Sequence, residues 1–140
     1  MKILLAVDGS KAAQEATKVA IHLAKSMVEP PTLVLMHADV PLMRRVAAEL
    51  GLEGTRKYHQ GNHDFALKPS RTALRRAKLE FTEKTAVDDA APAIIKAAKA
   101  GKFDLVIMGS HGRTALSSAL LGSVAAKVLS QSNVPVLVVR

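Results

Sequence analysis

Four short aliphatic runs, Ile3–Val7, Leu33–Met36, Leu105–Met108 and Val136–Val139, constrain the fold of this chain more than any other feature. None alternates polar with apolar residues, and helical patterns lie between them. Each therefore reads as a parallel strand buried on both faces. After Ser10, placed as an N-cap, Ala13, Ala16, Ala20, Leu23, Ala24 and Met27 recur at helical spacing until Pro30-Pro31 stops the helix. Pro92 suits the first turn of another helix through Ile94, Ile95, Ala97 and Ala98, with Gly101 as its stop. Past Gly122 and Ser123, the set Val124, Val128 and Leu129 marks a short last helix ending near Asn133. Pro135 then opens the final strand, which suits a sheet edge.

The middle of the chain is less regular. Met43–Leu50 reads as helical, Gly51–Pro69 as a long loop rich in Gly, His and Asn, and Ser70–Lys78 as a second helical piece. A strand is expected over Phe81–Val87; Glu83 and Lys84 interrupt it, which an edge strand tolerates. The alternation of strand and helix demands right-handed crossovers. The expectation is an α/β fold, a doubly wound five-stranded parallel sheet with helices on both faces, in order 3-2-1-4-5 or 2-1-3-4-5. In the first order a crevice opens where strands 1 and 4 meet, and their carboxyl ends carry Asp8 and Gly109.

Composition narrows the class. At 140 residues the chain fits a single domain, residues 1–140, and with three Phe and one Tyr its core must be aliphatic and alanine-rich. The absence of cysteine excludes disulfides and thiolate metal sites. No apolar stretch approaches the roughly 20 residues of a membrane span. The apolar start, Met1–Val7, stops at Asp8 without a small-residue cleavage site, so a cytoplasmic location is expected. The net charge of +8 is compatible with nucleic acid, an anionic surface or small phosphorylated ligands, and does not choose among them.

The chemistry concentrates in one loop, Gly109 to Ser123. A glycine directly after a buried strand lets backbone approach a ligand. Gly112 permits a positive φ, which turns N–H groups inward as an anion nest. Gly122-Ser123 starts a helix whose free N–H groups and dipole favour an anion, and Arg113 adds charge. Neither of the better-known phosphate motifs is present. Gly-Ser pairs also serve as ordinary turns, so the loop alone leaves both roles open.

On these residues the chain resembles the universal stress protein family, in its nucleotide-binding branch. That branch carries two glycines separated by two residues, then nine residues, then Gly-Ser or Gly-Thr; Gly109, Gly112, Gly122 and Ser123 match it. Val7-Asp8-Gly9-Ser10, Met36-His37-Ala38 and Asp104–Met108 match the family's strand endings and loop entry. The resemblance implies the order 3-2-1-4-5, an adenine nucleotide alpha hydrolase-like arrangement, with ATP as ligand and Mg or Mn accompanying it. It also implies that Ala6, Val7 and Asp8 line the nucleoside side, Asp8 lying near the ribose or the metal. The backbone of Ala38 would meet adenine, and Met108 and Gly109 would pack on the sugar. Gly112, Arg113, Gly122, Ser123 and Val124 would surround the phosphates, with Ser110 and His111 in the same loop. The residues themselves give Asp8 a second role, as a charge at the helix N-terminus beside Ser10. Two departures stand out: Asp88 fills a usual glycine site, with the proline moved to Pro92, and Gly51–Arg76 has no good counterpart.

Other candidates carry blander expectations. His59 and His63 have the i, i+4 spacing of a zinc pair, but Gly61 and Asn62 lie between them, so solvated loop positions are expected. His37 reads as structural. Arg71, Arg75, Arg76 and Lys78 read as a solvated helix face, and nucleic acid is not the expected partner because aromatics for stacking are few. Three functions are carried forward: an ATP-binding regulatory module, a slow or partner-activated ATPase or phosphotransferase, and a scaffold that binds no nucleotide. A homodimer through the apolar edge strand Val136–Val139 and an unidentified protein partner are also expected.

Overall fold

Ile3, Leu4 and Leu5 are essentially inaccessible to solvent, which requires cover on both faces and a strand on each side. The computed structural model, which describes residues 1–113 and 121–140, supplies both. The elements are β1 (Lys2–Ala6), α1 (Lys11–Ser26), β2 (Thr32–Asp39), α2 (Arg44–Arg76), β3 (Phe81–Val87), α3 (Ala90–Ala100), β4 (Leu105–Gly109), α4 (Ser123–Gln131) and β5 (Val136–Val139). They form a five-stranded, all-parallel sheet in the order β3-β2-β1-β4-β5. Among the described residues no helix is long and apolar enough to cross a membrane.

Alternation along the strands divides the core in two. Leu4, Ala6, Val34, Met36, Val106 and Met108 face α3 and α4, meeting Ala91, Ile94, Ala97, Ala98, Ala125 and Val128. Ile3, Leu5, Leu33, Leu35 and Ile107 face α1 and α2, meeting Ala13, Ala16, Ala20, Ala24, Leu67 and Leu74. The sheet-facing side of α1 is thus a row of methyl groups, which brings its backbone close to the strands. Ser10 caps that helix, its Oγ accepting the Ala13 N–H at 3.1 Å. Both edges follow their sequence signals: Pro135 precedes β5, and β3 exposes Glu83 and Lys84.

The expected loop at Gly51–Pro69 does not form. That stretch lies inside α2, which bends at Gly51 (φ 68, ψ 177) and continues through Pro69. Its buried face, His59, His63, Ala66, Leu67, Ser70 and Leu74, has helical spacing, but half of these side chains are polar. Every polar member is satisfied by a partner. His59 bonds Asp39, His63 bonds His37, and Ser70 Oγ lies 2.8 Å from Thr17 Oγ1. Arg71 is also not simply solvated. Its Nε and Nη2 donate to the two Glu83 oxygens at 2.6 and 2.9 Å, tying α2 to the edge strand β3. This fork raises the arginine pKa and holds the Glu83 carboxyl below its usual value.

Candidate functional site

Because β1 and β4 are neighbours while their chains continue to opposite faces of the sheet, a crevice opens at their carboxyl ends. A cavity of about 300 Å³ occupies it, at the small end of the range for ligand pockets. Ala6, Val7 and Asp8 enter from β1, Met36, His37 and Ala38 from β2, and Met108 and Gly109 from β4. His111, Gly112, Gly122, Ser123, Val124 and Ala125 close it on the loop and α4 side. Ser10, Ala13, Ala90 and Ile94 complete the wall. The centre of the sequence loop, residues 114–120, lies outside the described residues.

Eleven of the thirteen residues singled out for the nucleotide line this cavity; Ser110 and Arg113 do not. Ser110 is a brace. Its N–H donates to the Val139 carbonyl at 2.7 Å, its own carbonyl accepts the Gly122 N–H at 2.7 Å, and its Oγ lies 2.9 Å from His111 Nδ1. The Arg113 guanidinium instead sits 5.9 Å from the centroid of the Phe65 ring on α2.

The glycines act differently from the expectation. A Cβ on Gly109 would come within 2.7 Å of the Ala12 carbonyl carbon, so the glycine at this point of the cavity wall is required by the close approach of α1. Gly112 does not adopt a positive φ; the left-handed glycine here is Gly9 (φ 82), which lies against Ala66 of α2. At Gly112 a Cβ would stand 3.0 Å from Asp8 Oδ2, so a bare backbone leaves that carboxylate room. Asp8 Oδ1 accepts the Ser10 N–H at 2.9 Å, which establishes its role at the start of α1.

The anion-binding element is the start of α4. Gly122 occupies the N-cap position in an extended conformation and offers no side-chain cap. Ser123, Val124 and Ala125 form the first turn and line the cavity. First-turn amides lack intrahelical acceptors, and the helix dipole adds partial positive charge. Met36, Ile94 and Met108 add apolar surface to the same cavity. An amphiphilic ligand with an anionic end fits this combination.

Behind the nucleoside side lies a polar cluster that the loop assignment concealed. His37 Nδ1 and His63 Nδ1 are 2.8 Å apart, with their rings edge to face. Two residues along β2, Asp39 Oδ2 meets His59 Nδ1 at 2.6 Å and the Asn62 amide at 2.9 Å. The signal was present in the sequence: His37 and Asp39 at strand spacing opposite His59 and His63 at helical spacing. Among the described residues no three metal-ligating groups converge.

Burial lowers the pKa of both His37 and His63, and for His37 the neighbouring His63 charge lowers it further. Burial raises the Asp39 carboxyl, but hydrogen bonds from Asn62 and His59 outweigh this and leave it below its ordinary value. Below 6.5 the unfolded chain takes up protons that the native histidines refuse, so stability falls as pH drops toward their native values. The Asp39 contribution is lost only at lower pH, below 3.8. The melting temperature is therefore expected to decrease between pH 7.5 and 5.5, and less steeply in His63→Gln. Scanning calorimetry giving one midpoint across that range would contradict the burial account.

The whole chain, residues 1–140, matches the Universal stress protein family. It is similar to Universal stress protein MJ0531 of Methanocaldococcus jannaschii, at 31% identity over 99% of this chain and 81% of that protein. A Thermus aquaticus universal stress protein is 33% identical over 99% of this chain and 97% of its own length. Among solved structures, MJ0577 superposes with a TM-score of 0.83 at 29% identity, covering 99% and 94% of the two chains. An Archaeoglobus fulgidus universal stress protein in complex with dAMP shares the fold, with a TM-score of 0.73 at 20% identity over 100% and 98%. So does an Arabidopsis thaliana family protein with AMP bound, at 0.65 and 16% over 99% and 90%.

Proposed function

The chain belongs to the universal stress protein family, and from that premise we propose that it is an ATP-binding regulatory module of the stress response, acting in the cytoplasm. The observation that carries this reading is the first turn of α4: three residues without a side-chain cap, set in the wall of a cavity that also presents apolar side chains. Ser123 and the amides of Val124 and Ala125 receive the phosphates. Met36 and Met108 pack on the nucleoside, the Ala38 backbone meets adenine, and Asp8 addresses the ribose or a cation. The AMP and dAMP complexes of proteins sharing the fold support an adenine nucleotide in this cleft.

Mg²⁺ or Mn²⁺ would neutralise phosphate charge. With Asp8 the one carboxylate in the cavity wall among the described residues, the ion would be held chiefly by the nucleotide and water, as magnesium usually is. β5 is an open edge with Leu137 exposed, which supports pairing with a second copy.

Isothermal titration of ATP with Mg²⁺ at pH 7.5 tests the reading. Saturable binding at one site per chain is expected, with GTP bound at least about tenfold more weakly, since a base-lined pocket discriminates by its polar edge. No heat and no ligand-induced rise in melting temperature would leave only a scaffold. Light scattering of the same sample, expected to give twice the chain mass, tests the pairing.

A further inference from the structure

The proposed nucleotide contacts do not involve the buried histidine pair, yet one of its members, His37, stands in the cavity wall. His37 lines the cavity, and the residue after it, Ala38, lies at the nucleoside end. Its ring is held by His63, which belongs to α2 and is not among the described residues lining this cavity. Both residues are almost fully buried, at 4% and 5% exposure, so neither is a surface histidine that happens to touch another.

A 2.8 Å separation between two Nδ1 atoms allows only one proton between them. One ring must donate and the other accept. This makes the tautomers of the two rings complementary and holds the orientation of His37. The charged and titratable groups facing the pair come from several elements. They are Asp39 on β2, His59 and Asp64 on α2, Asp8 at the end of β1, and Arg113 in the loop. Asn62 is committed to Asp39 and does not neutralise the pair. Among the described residues no acidic side chain bonds either ring directly, and burial disfavours a charge on the pair.

We infer that His63 is a positioning residue for the cleft: it holds the His37 ring in the wall with the single proton shared by their Nδ1 atoms, and a nucleoside that covers this wall binds best when neither ring is charged. The inference rests on the nucleotide reading of the cleft. It extends that reading to α2, which thereby becomes part of the binding apparatus.

Adenosine is the suitable probe because it carries no phosphate whose own titration would mask the effect. Its affinity is measured by NMR titration at pH 7.5 and 5.0, alongside ATP at pH 7.5. The expected result is adenosine binding about threefold or more weaker at pH 5.0, as linkage requires when the ligand favours the uncharged pair. His63→Leu should weaken adenosine about fivefold at pH 7.5, the loss of one buried hydrogen bond. His63→Asn, which keeps a polar partner of similar reach, should restore most of that loss. If His63→Leu fails to fold, the wild-type pH comparison and the His63→Asn affinity still decide. Adenosine affinity that is equal at the two pH values, or undetectable where ATP binds, overturns the positioning role alone. So does a loss in His63→Asn greater than fivefold. Failure of the wild type to bind ATP overturns the nucleotide reading as well.

Discussion

Replacing Gly122 with valine is expected to weaken ATP binding about a hundredfold while the protein still folds. A Cβ at this position would lie 3.0 Å from His111 Cα and 3.1 Å from the Ser110 carbonyl oxygen. Both are backbone atoms and cannot rotate away. Valine adds two further carbons, so the 110–112 segment and the start of α4 must separate. The 2.7 Å bond from the Gly122 N–H to Ser110 lies in the path of that movement. Ser123, Val124 and Ala125 would then no longer face the space left by Asp8 and Gly112. A hundredfold loss is about 2.7 kcal/mol, comparable to removing two charge-assisted hydrogen bonds. The strain falls at the mouth of the cleft, and the buried contacts of Ala125 and Val128 with the sheet remain available. Isothermal titration, paired with circular dichroism, separates the two effects. Unchanged affinity would remove α4 from the binding site.

Gly109→Val is expected to act on stability first, lowering the melting temperature by about 10 °C or more. Here the added Cβ would meet the Ala12 carbonyl carbon at 2.7 Å, the Ala12 Cβ at 2.8 Å and the Ala13 nitrogen at 2.9 Å. The obstacle is the first turn of α1, and relief requires that helix to lift from β4. Overpacking typically costs 1–3 kcal/mol; two extra methyl groups against backbone place this variant at or beyond about 3 kcal/mol. For a domain of this size each kcal/mol moves the midpoint by roughly 3–5 °C. Gly61→Ala is the control, because nothing lies within 4 Å of its added Cβ and alanine favours a helix. A Gly109→Val midpoint within 2 °C of the wild type would mean that the α1–β4 approach is looser than described.

The architecture was readable because β1, β2 and β4 are buried on both faces, a demand that aliphatic residues meet; the equally aliphatic β5 is only partly buried, with Leu137 exposed at the edge. Sheet order was not readable from periodicity. It came from the match of Gly109, Gly112, Gly122 and Ser123 to a known pattern, and the pairing of β1 with both β2 and β4 bears it out. Most of the cleft followed from the same match. The long helix α2 was missed because apolar periodicity cannot register a buried face built of histidine and serine. His59, His63 and Ser70 each require a partner on another element, and such pairs become visible only when the elements meet. The roles of the glycines were misread for a related reason. The need for glycine at position 109 comes from Ala12, almost a hundred residues earlier in the chain.

The methyl-lined face of α1 gives the domain an asymmetric tolerance to change. Ala13, Ala16, Ala20 and Ala24 are already as small as a side chain with a Cβ can be, so trimming them leaves almost no void. Enlarging any one of them pushes the helix outward, because the side chains of Ile3, Leu5, Leu33, Leu35 and Ile107 already fill the space on that face. Larger side chains are therefore admitted only on its solvent side, which leaves the Asp8–Ser10 corner at its head in place.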